Sequence, residues 1–366
     1  MQTFAFYFLY LLLNWNESKI MATKQTTIQD IAKALNITAS TVSRALNDHP
    51  KIKQSTKDLV WKTAKELHYH PNTIASNLRK GKANTVGLIV PRINRHFFSN
   101  VITGVESILN PAGYNLLICQ SEESVEKEKQ NIEALIANRV SGILISISVE
   151  TTNVKHLERA INSHIPLVMF DRVSEKLDVN KVENDDVSGF YDLTQHLLDQ
   201  GYKNIMWIGG PRSSSIYCNR YKGYTKALEE AGIAPQEMES FEGTPTLDVA
   251  LKFMQEYILE HQQLPDAIIS ASDYMAIGVI QALQEKGYHI PDDIAVAGYS
   301  NEPFAALISP KLTTVEQFSE EMGRATARLL LDQIESNSEE QVPRKIILKP
   351  RLIIRESSIK MAKLVT

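Results

Sequence analysis

Cysteine is scarce in this chain of 366 residues, and clustered metal ligands are missing. The two cysteines, Cys119 and Cys218, lie far apart, which excludes a disulfide framework and predicts reduced thiols in a cytosol. Among the nine histidines only His68 and His70 are close together, and no set with metal-ligand spacing forms around them. We therefore expect no metal site and no cofactor.

Enzyme motifs are also missing. No G-x-G-x-x-G opens a helix after the first predicted strand, and neither G-x-S-x-G nor a P-loop occurs. A nucleotide-dependent enzyme or a serine hydrolase would need one of these. The sequence therefore predicts a protein that is not an enzyme.

Long hydrophobic runs are absent as well. The run F-A-F-Y-F-L-Y-L-L-L near the start covers only about half a membrane span. It lacks the basic start and the small-residue cleavage site of a signal peptide, and Met21 precedes the first predicted helix. We interpret residues 1–21 as a non-native or unstructured extension and expect no membrane partner. A membrane-anchored protein is the alternative.

Charge is divided unevenly along the chain. Residues 22–82 hold 11 Lys+Arg and 4 Asp+Glu, a net of +7, whereas residues 83–366 hold 27 and 38, a net of −11. The sequence pI of about 6.2 thus conceals a basic head on an acidic body. A basic head favours salt-sensitive contacts with phosphates, although a solvated helical bundle would show the same asymmetry.

Residues 27–47 contain two short amphipathic patterns with a tight break between them. The first buries Ile28, Ile31, Ala32 and Leu35, and the second buries Val42, Ala45 and Leu46. Thr27 can cap the first helix, and Thr38 or Ser40 the second. A third helix over residues 55–69 would cover both with Leu59, Val60, Ala64 and Leu67. The pattern predicts an all-α helix-turn-helix DNA-binding domain over residues 22–70.

The second helix would expose short polar groups and one arginine, a surface suited to base edges in the major groove. Arg44 is the candidate for a bidentate contact to guanine. Residues 71–83 follow as a linker or as a hinge helix that forms on DNA, and after a helix-turn-helix we favour Leu78 as an apolar wedge in the minor groove. The candidate DNA-binding residues are Thr27, Thr38, Ala39, Ser40, Thr41, Ser43, Arg44, Asn47, Lys51, Lys53, Thr56, Tyr69, Asn72, Ala75 and Leu78.

Motifs along the chain occur in a fixed order. The head carries T-I-Q-D-I-A, T-V-S-R-A-L-N and L-H-Y-H-P-N, and the body carries G-L-I-V-P, R-Y-K-G-Y, D-A-I-I-S-A-S-D, I-A-V-A-G-Y-S-N and I-I-R-E-S-S. Over about residues 24–358 this order resembles the lactose-repressor (LacI/GalR-type) family of bacterial transcription regulators. The resemblance implies a type-I periplasmic-binding-protein-like body that is dimeric and crosses three times between two lobes.

From residue 84 the chain alternates between apolar strands and amphipathic helices. The strand candidates are 86–91, 114–120, 142–148, 166–171, 204–209, 267–271 and 294–299. Such runs are typical of parallel strands buried on both faces, and predict an α/β body of two doubly wound, Rossmann-like lobes. We place the first crossing at 184–186, and the resemblance places the others near 312–318 and 340–347. The expected divisions are the effector-binding and dimerisation body 84–358, with lobe 1 at 84–184 and 315–340, lobe 2 at 185–312 and 345–358, and a tail at 359–366.

A cleft between two such lobes would bind a ligand beyond the carboxyl ends of the strands. The candidate effector-binding residues at those ends are Phe97, Phe98, Asp171, Arg172, Arg220, Asp273, Ser300 and Asn301. Aromatic rings with charged and hydroxyl groups suit a sugar, although each residue singly could equally serve the core, a helix cap or the surface. By resemblance, Arg220 matches the family's effector-binding arginine. Ser300 stands where many members have an acidic residue, which leaves room for a sugar acid or a sugar phosphate.

Together these features predict a ligand-responsive, DNA-binding transcriptional regulator. The expected form is a cytoplasmic, nucleoid-associated homodimer that represses carbohydrate-metabolism genes from a palindromic operator on double-stranded DNA. A small-molecule sugar or sugar derivative would switch it allosterically. A sugar-binding protein is the alternative, but it would not need residues 24–80.

Overall fold

A computed structural model describes residues 26–69, 84–235, 246–336 and 342–360. The predicted extension 1–21 and the hinge 71–83, with Asn72, Ala75 and Leu78, lie outside these ranges. The chain divides into two compact units, with the boundary between residues 80 and 81. Within the described ranges, no helix is both long enough and apolar enough to span a bilayer.

The described helices are numbered in chain order. They are α1 Ile28–Leu35, α2 Ala39–Leu46, α3 Gln54–Glu66, α4 His96–Leu109, α5 Val125–Ala137, α6 Lys155–Asn162, α7 Asp186–Asp199, α8 Ser215–Glu230, α9 Leu247–Glu260, α10 Asp273–Glu285 and α11 Ser319–Glu335. The strands are β1 Thr85–Val90, β2 Asn115–Gln120, β3 Gly142–Ile145, β4 Leu167–Phe170, β5 Asn180–Asn184, β6 Ile205–Ile208, β7 Ala267–Ser270, β8 Ala295–Ala297, β9 Thr314–Glu316, β10 Lys345–Leu348 and β11 Arg351–Ile353.

The first unit is a bundle of three short helices. Thr27 and Asp30 form a reciprocal capping box at the start of α1, and Thr38 caps α2 by accepting the N–H of Thr41. The buried core consists of Ile31, Ala32, Val42, Ala45, Val60 and Ala64. Helices of eight residues are marginal alone, so this shared core is what holds α1 and α2 in place.

The third helix faces the core differently from the prediction. Val60 and Ala64 point inward as expected, but Leu59 is 51% exposed and Leu67 is 36% exposed. The buried face of α3 is formed by Lys57, Val60, Thr63 and Ala64, and Leu59 lies on another side of the helix. The inward expectation was wrong for Leu59 and for Leu67, which follows the last residue of the helix, Glu66.

Lobe 1 of the body contains a parallel sheet of six strands in the order β10-β5-β4-β3-β1-β2. Helices α4 and α11 pack on one face, where Val86, Leu88 and Val90 of β1 point. Helices α5 and α6 pack on the other face, against Ile89 and the strand β3. Burial on both faces explains why these strands are apolar runs without alternation.

Lobe 2 contains the parallel strands β6-β7-β8, with α7 and α8 on one face and α9 and α10 on the other. A parallel bridge from Ala297 to Thr313 connects β8 to β9, and β9 pairs with β11 in antiparallel fashion. Residues that follow β1, β2 and β4 of lobe 1 and β7 and β8 of lobe 2 line one cavity, so the carboxyl ends of these strands face the junction between the lobes.

The third crossing lies later in the chain than the prediction placed it. Strand β10 pairs in parallel with β5 in the sheet of lobe 1, with Lys345 opposite Lys181 and Leu348 opposite Asn184. Residues 345–348 thus lie in lobe 1 rather than in lobe 2, and the chain crosses at residues 349–350. The exposed, alternating side chains of β10 are those of an edge strand and give little indication of which sheet it joins.

Helices α4 and α11 approach each other at two glycines. A Cβ atom on Gly104 would collide with the backbone oxygen of Glu320, and one on Gly323 would collide with the backbone oxygen of Val101. Backbone cannot move aside as a flexible side chain can. The close packing of this helix pair therefore requires glycine at both positions.

We predict that Gly104→Ala destabilises the body by about 1–3 kcal/mol, because the new methyl group forces the two helices apart. Urea unfolding of the full chain, followed by circular dichroism, measures the change. Glu106→Ala, at an exposed position of the same helix, is the control and should stay within about 0.5 kcal/mol. Equal stability of both variants would contradict the tight contact.

Candidate functional site

The first unit presents one polar surface around α2. Ala39, Ser40, Arg44 and Asn47 are exposed on it, and Ser43 and Thr41 are half-buried. The side chain of Arg44 makes no ion pair or hydrogen bond with any residue in the described ranges, although its backbone oxygen accepts the N–H of His49. Its guanidinium group is thus free to donate two parallel hydrogen bonds to an external acceptor.

Neighbouring hydroxyl groups are tied to each other. The Thr38 hydroxyl lies 2.8 Å from that of Ser40 and 2.9 Å from that of Thr41. The amide of Asn47 donates to the backbone oxygen of Ser43 at 2.7 Å. These contacts fix the side chains around Arg44 in defined orientations.

The other predicted DNA-binding residues are spread around this surface. Lys51 and Lys53 are exposed and Thr56 is half-buried at the start of α3, where positive charge and N–H groups meet. The Thr27 hydroxyl donates to Asp30 at 2.7 Å and so serves the cap of α1. Tyr69 packs against the core of the bundle.

The body encloses a cavity of about 90 Å³ between its two lobes. Six of the eight predicted effector-binding residues line it: Phe97, Phe98, Asp171, Arg172, Arg220 and Ser300. The remaining lining residues are Arg92, Arg95, Glu123, Ile216, Tyr217, Ser272, Tyr274, Glu302 and Gln317. We refer to this set as the effector cavity.

Two predicted residues lie behind the wall of the effector cavity. Asp273 is fully buried and accepts the N–H of Glu302 at 2.8 Å and the hydroxyl of Thr314 at 2.6 Å. The amide of Asn301 donates to Glu316 at 2.7 Å and accepts from Arg355 at 2.8 Å. Both side chains are thus engaged in holding the loop after β8, and Glu302 faces the cavity instead.

Arg220 is held by three groups of lobe 2. Its Nε donates to Asp186 at 3.2 Å, its Nη1 donates to the backbone oxygen of Ala271 at 2.8 Å, and its guanidinium lies 4.2 Å from the ring centre of Tyr299. Burial raises the pKa of Asp186, and the charge of Arg220 opposes that rise. The arginine is therefore positioned before any ligand arrives.

Arg172 pairs with a carboxylate that the sequence prediction missed. Its Nη1 donates to Glu123 at 2.6 Å, and the N–H of Val149 donates to the same oxygen at 3.0 Å. The loop that carries Val149 is itself fixed by the fully buried Glu128, which accepts the N–H of Ser148 at 2.6 Å and contacts His156 at 2.7 Å. A buried polar network thus sets the position of Arg172.

Two carboxyl groups of the cavity have raised pKa values. Burial raises the pKa of Asp171 to about 6, although Arg172 and Arg220 oppose the rise. Burial and the neighbouring Asp273 raise the pKa of Glu302 to about 7. Both groups can therefore donate a hydrogen bond when protonated or accept one when ionised, close to neutral pH.

The opposite sides of the cavity meet through an aromatic contact. The guanidinium of Arg95 in lobe 1 lies 3.8 Å from the ring centre of Tyr274 in lobe 2. Arg92 lies beside Glu123, at 3.8 Å, and its buried Nε has no hydrogen-bond partner among the residues that the structure describes. The Nε of Arg172 is likewise without a hydrogen-bond partner among these residues, so Arg220 is the most fully engaged of the four arginines.

Some of the missed residues carried a usable signal. Arg92, Arg95 and Glu123 follow β1 and β2 by a few residues, so the strand-end argument applied to every strand would have found them. Tyr217 precedes Arg220 by three positions on α8, which places both on one helical face. Gln317 lies at the second crossing and has no local signal.

Comparisons with known proteins agree with this two-part construction. Residues 27–72 match the family model "Bacterial regulatory proteins, lacI family", and residues 194–358 match "Periplasmic binding protein-like domain". Catabolite control protein A of Priestia megaterium is 31% identical over 334 residues, which cover 91% of this chain and 99% of that protein. The transcriptional repressor PurR of Edwardsiella ictaluri is 34% identical over 333 residues, 90% of this chain and 96% of that protein.

Solved structures show the same fold. The complex of the transcriptional regulator CelR with cellobiose has a TM-score of 0.68 at 28% identity, over 91% of this chain and 100% of that one. The lac repressor dimer bound to operator and the anti-inducer ONPF has a TM-score of 0.80 at 24% identity, over 92% and 100%.

A helix-turn-helix unit joined to a two-lobed ligand-binding body defines a ligand-responsive, DNA-binding transcriptional regulator. The match to PurR and to catabolite control protein A extends over at least 90% of this chain at more than 30% identity, which is sufficient to assign a family. This chain belongs to the lacI family of bacterial regulatory proteins. The relatives named above are regulators rather than enzymes.

We predict that Arg220→Ala destabilises the body by about 3–5 kcal/mol, because it leaves the buried carboxylate of Asp186 without its partner. The loss should be smaller at about pH 5 than at about pH 8. An acid whose pKa is raised in the folded state binds more protons there than in the unfolded state, so stability falls as pH rises.

Urea unfolding of wild type and variant at both pH values measures this. Removing both charges with Asp186→Asn and Arg220→Met should recover part of the loss, since no unpaired charge then remains. A loss of the same size at both pH values would contradict the proposed role of the pair.

Proposed function

We propose that this protein is a homodimeric repressor of carbohydrate-metabolism genes, acting in the cytoplasm on a palindromic operator. The observation that carries the proposal is that one chain contains both an Arg44 side chain without a partner in the described ranges and a polar and aromatic effector cavity in the body. A dimer with two-fold symmetry would match two half-sites of a palindrome. The domain limits proposed above, 22–70 and 84–358, follow this division.

In the proposed complex, α2 lies in the major groove. Arg44 would donate to the two acceptors of a guanine, and Ala39 and Ser40 would contact a thymine methyl or a nearby polar group. Lys51, Lys53 and Thr56 would contact phosphates, which position the head without reading sequence. The wedge role of Leu78 remains a prediction, since residues 70–83 lie outside the described ranges.

The effector is proposed to be a sugar or a sugar derivative. Phe97, Phe98, Tyr217 and Tyr274 supply apolar faces, while the arginines and carboxyl groups supply hydrogen bonds that fix orientation. Two structural relatives support the class: one is described as a complex with cellobiose and another as having bound ribose. Binding across the lobes would favour one lobe arrangement and so change the affinity for operator.

Within this class we favour an acidic effector. Arg220 is already engaged by Asp186 and by the backbone oxygen of Ala271. The Nε atoms of Arg92 and Arg172 have no hydrogen-bond partner among the described residues, so we expect anion contacts from these two arginines and from Arg95. Asp171 and Glu302 repel an anion only when ionised. With pKa values of about 6 and about 7, they lose charge as pH falls towards 6.

Arg44→Ala tests the DNA-binding role. Duplexes selected from random DNA by the full chain should bind the variant about ten- to a hundredfold more weakly, because one bidentate base contact is lost. For unselected DNA, the affinity of Arg44→Ala should change about as little as the affinity of Arg159→Ala, a control variant on the body surface. An unchanged affinity for selected duplexes, measured by gel shift at fixed salt, would refute the assignment.

Calorimetry with glucuronate and glucose tests the effector class. Glucuronate should bind at least about threefold more tightly at pH 6 than at pH 8, because protonation of Asp171 and Glu302 removes repulsion. Glucose should show no comparable dependence. Tight binding of neutral monosaccharides together with no binding of acidic ones would reject the acidic effector.

A further inference from the structure

A second cavity, of about 630 Å³, adjoins the effector cavity and shares Arg172 with it. Lobe 1 contributes the loops that follow β3 and β4, and lobe 2 contributes residues 212–222 at the start of α8. The proposed function assigns this cavity no role. Its volume is far larger than that of the effector cavity.

Positive charge is in excess around the second cavity. Lys176, Arg212 and Lys222 line it, and none of the three forms an ion pair with another residue in the described part of the chain. Its two carboxylates, Glu175 and Glu183, both contact Lys345, at 2.7 and 2.9 Å. The charges of the cavity that lack an ion-pair partner are therefore all cationic. Lys176 donates to the backbone oxygen of Thr152 at 2.8 Å, and the guanidinium of Arg212 lies 3.8 Å from the ring centre of Tyr221.

The first turn of α8 opens onto this cavity. The helix has sixteen residues, no acidic residue in its first turn, and no side chain that accepts its first N–H groups. Such a terminus carries partial positive charge and unpaired donors, and both favour an anion.

Ser214 gives an independent indication of a ligand. It lines the second cavity and is only 7% exposed. Although it stands at the capping position of α8, its hydroxyl makes no hydrogen bond to any residue that the structure describes. The hydroxyl is therefore available as a hydrogen-bond donor at the cavity wall, and a ligand oxygen in the cavity would accept from it.

We propose that the second cavity binds the phosphate group of a small molecule. The N–H groups at the start of α8 and the Ser214 hydroxyl would donate to phosphate oxygens, and Arg212 and Lys222 would supply charge. Lys176 would approach from lobe 1, so that the bound phosphate joins the two lobes. The phosphate either belongs to the effector itself or arrives as free inorganic phosphate.

The position of Arg172 connects this site to regulation. Because Arg172 lines both cavities, a ligand in the second cavity alters the surroundings of its pair with Glu123. Coupling to operator binding rests on the proposed function, whereas phosphate binding does not. A chain that binds phosphate but no operator would therefore refute only the proposed function.

Ser214→Asp is the test variant. Aspartate is a favourable residue at a helix N-cap, so α8 should remain folded, but its carboxylate occupies the donors and repels phosphate. Calorimetry of the full chain with inorganic phosphate should show saturable binding that the variant weakens at least about tenfold. Thr246→Asp places the same charge at the N-cap of α9 and should leave binding unchanged.

A second arm identifies the source of the phosphate. Ribose 5-phosphate should bind wild type more tightly than ribose does, and Ser214→Asp should abolish that difference, if the phosphate belongs to the effector. Equal affinity for inorganic phosphate and ribose 5-phosphate would point to free phosphate. No saturable binding of either, or binding that Ser214→Asp leaves unchanged while Thr246→Asp binds normally, would overturn the proposal.

Discussion

The organisation of the cleft depends on one buried charge pair, Arg220 with Asp186. Asp186 begins the first helix after the chain enters lobe 2, and Arg220 reaches from α8 to the end of β7 at Ala271. Both residues are only 4% exposed, so water cannot solvate either charge and each charge depends on the other for compensation. The pair therefore fixes the crossing, a helix and a strand end relative to one another, and it presents a preoriented cation to the cavity.

Backbone strain concentrates around the same cleft. Asp171 has φ of 57° and Ser300 has φ of 119°, values that residues with side chains rarely adopt. Glu123, which holds Arg172, has φ of 65°. Such conformations persist only where surrounding contacts determine them, and here those contacts are the carboxyl and arginine network.

Local pattern was sufficient for much of the fold, because buried parallel strands and capped amphipathic helices are encoded by short runs of residues. Local pattern was insufficient where the position of a strand or of a side chain depended on residues far away in the sequence. Strand β10 looks like any exposed edge strand, and only its pairing with β5 assigns it to lobe 1. Asp273 and Asn301 follow strands as ligand contacts do, but Thr314, Glu316 and Arg355 engage their side chains. Strand-end position finds the neighbourhood of a cleft, whereas side-chain direction requires the three-dimensional contacts.

The pairing of β10 and β11 with β5 and β9 has a consequence for synthesis on the ribosome. Each lobe receives one of its strands from residues 345–353, so neither sheet is complete until these residues have emerged. The three-helix head consists of residues near the start and has its own core. A nascent or prematurely ended chain would thus carry a finished head on an unfinished sensor, with the edges of β5 and β9 left unpaired and prone to associate with other strands.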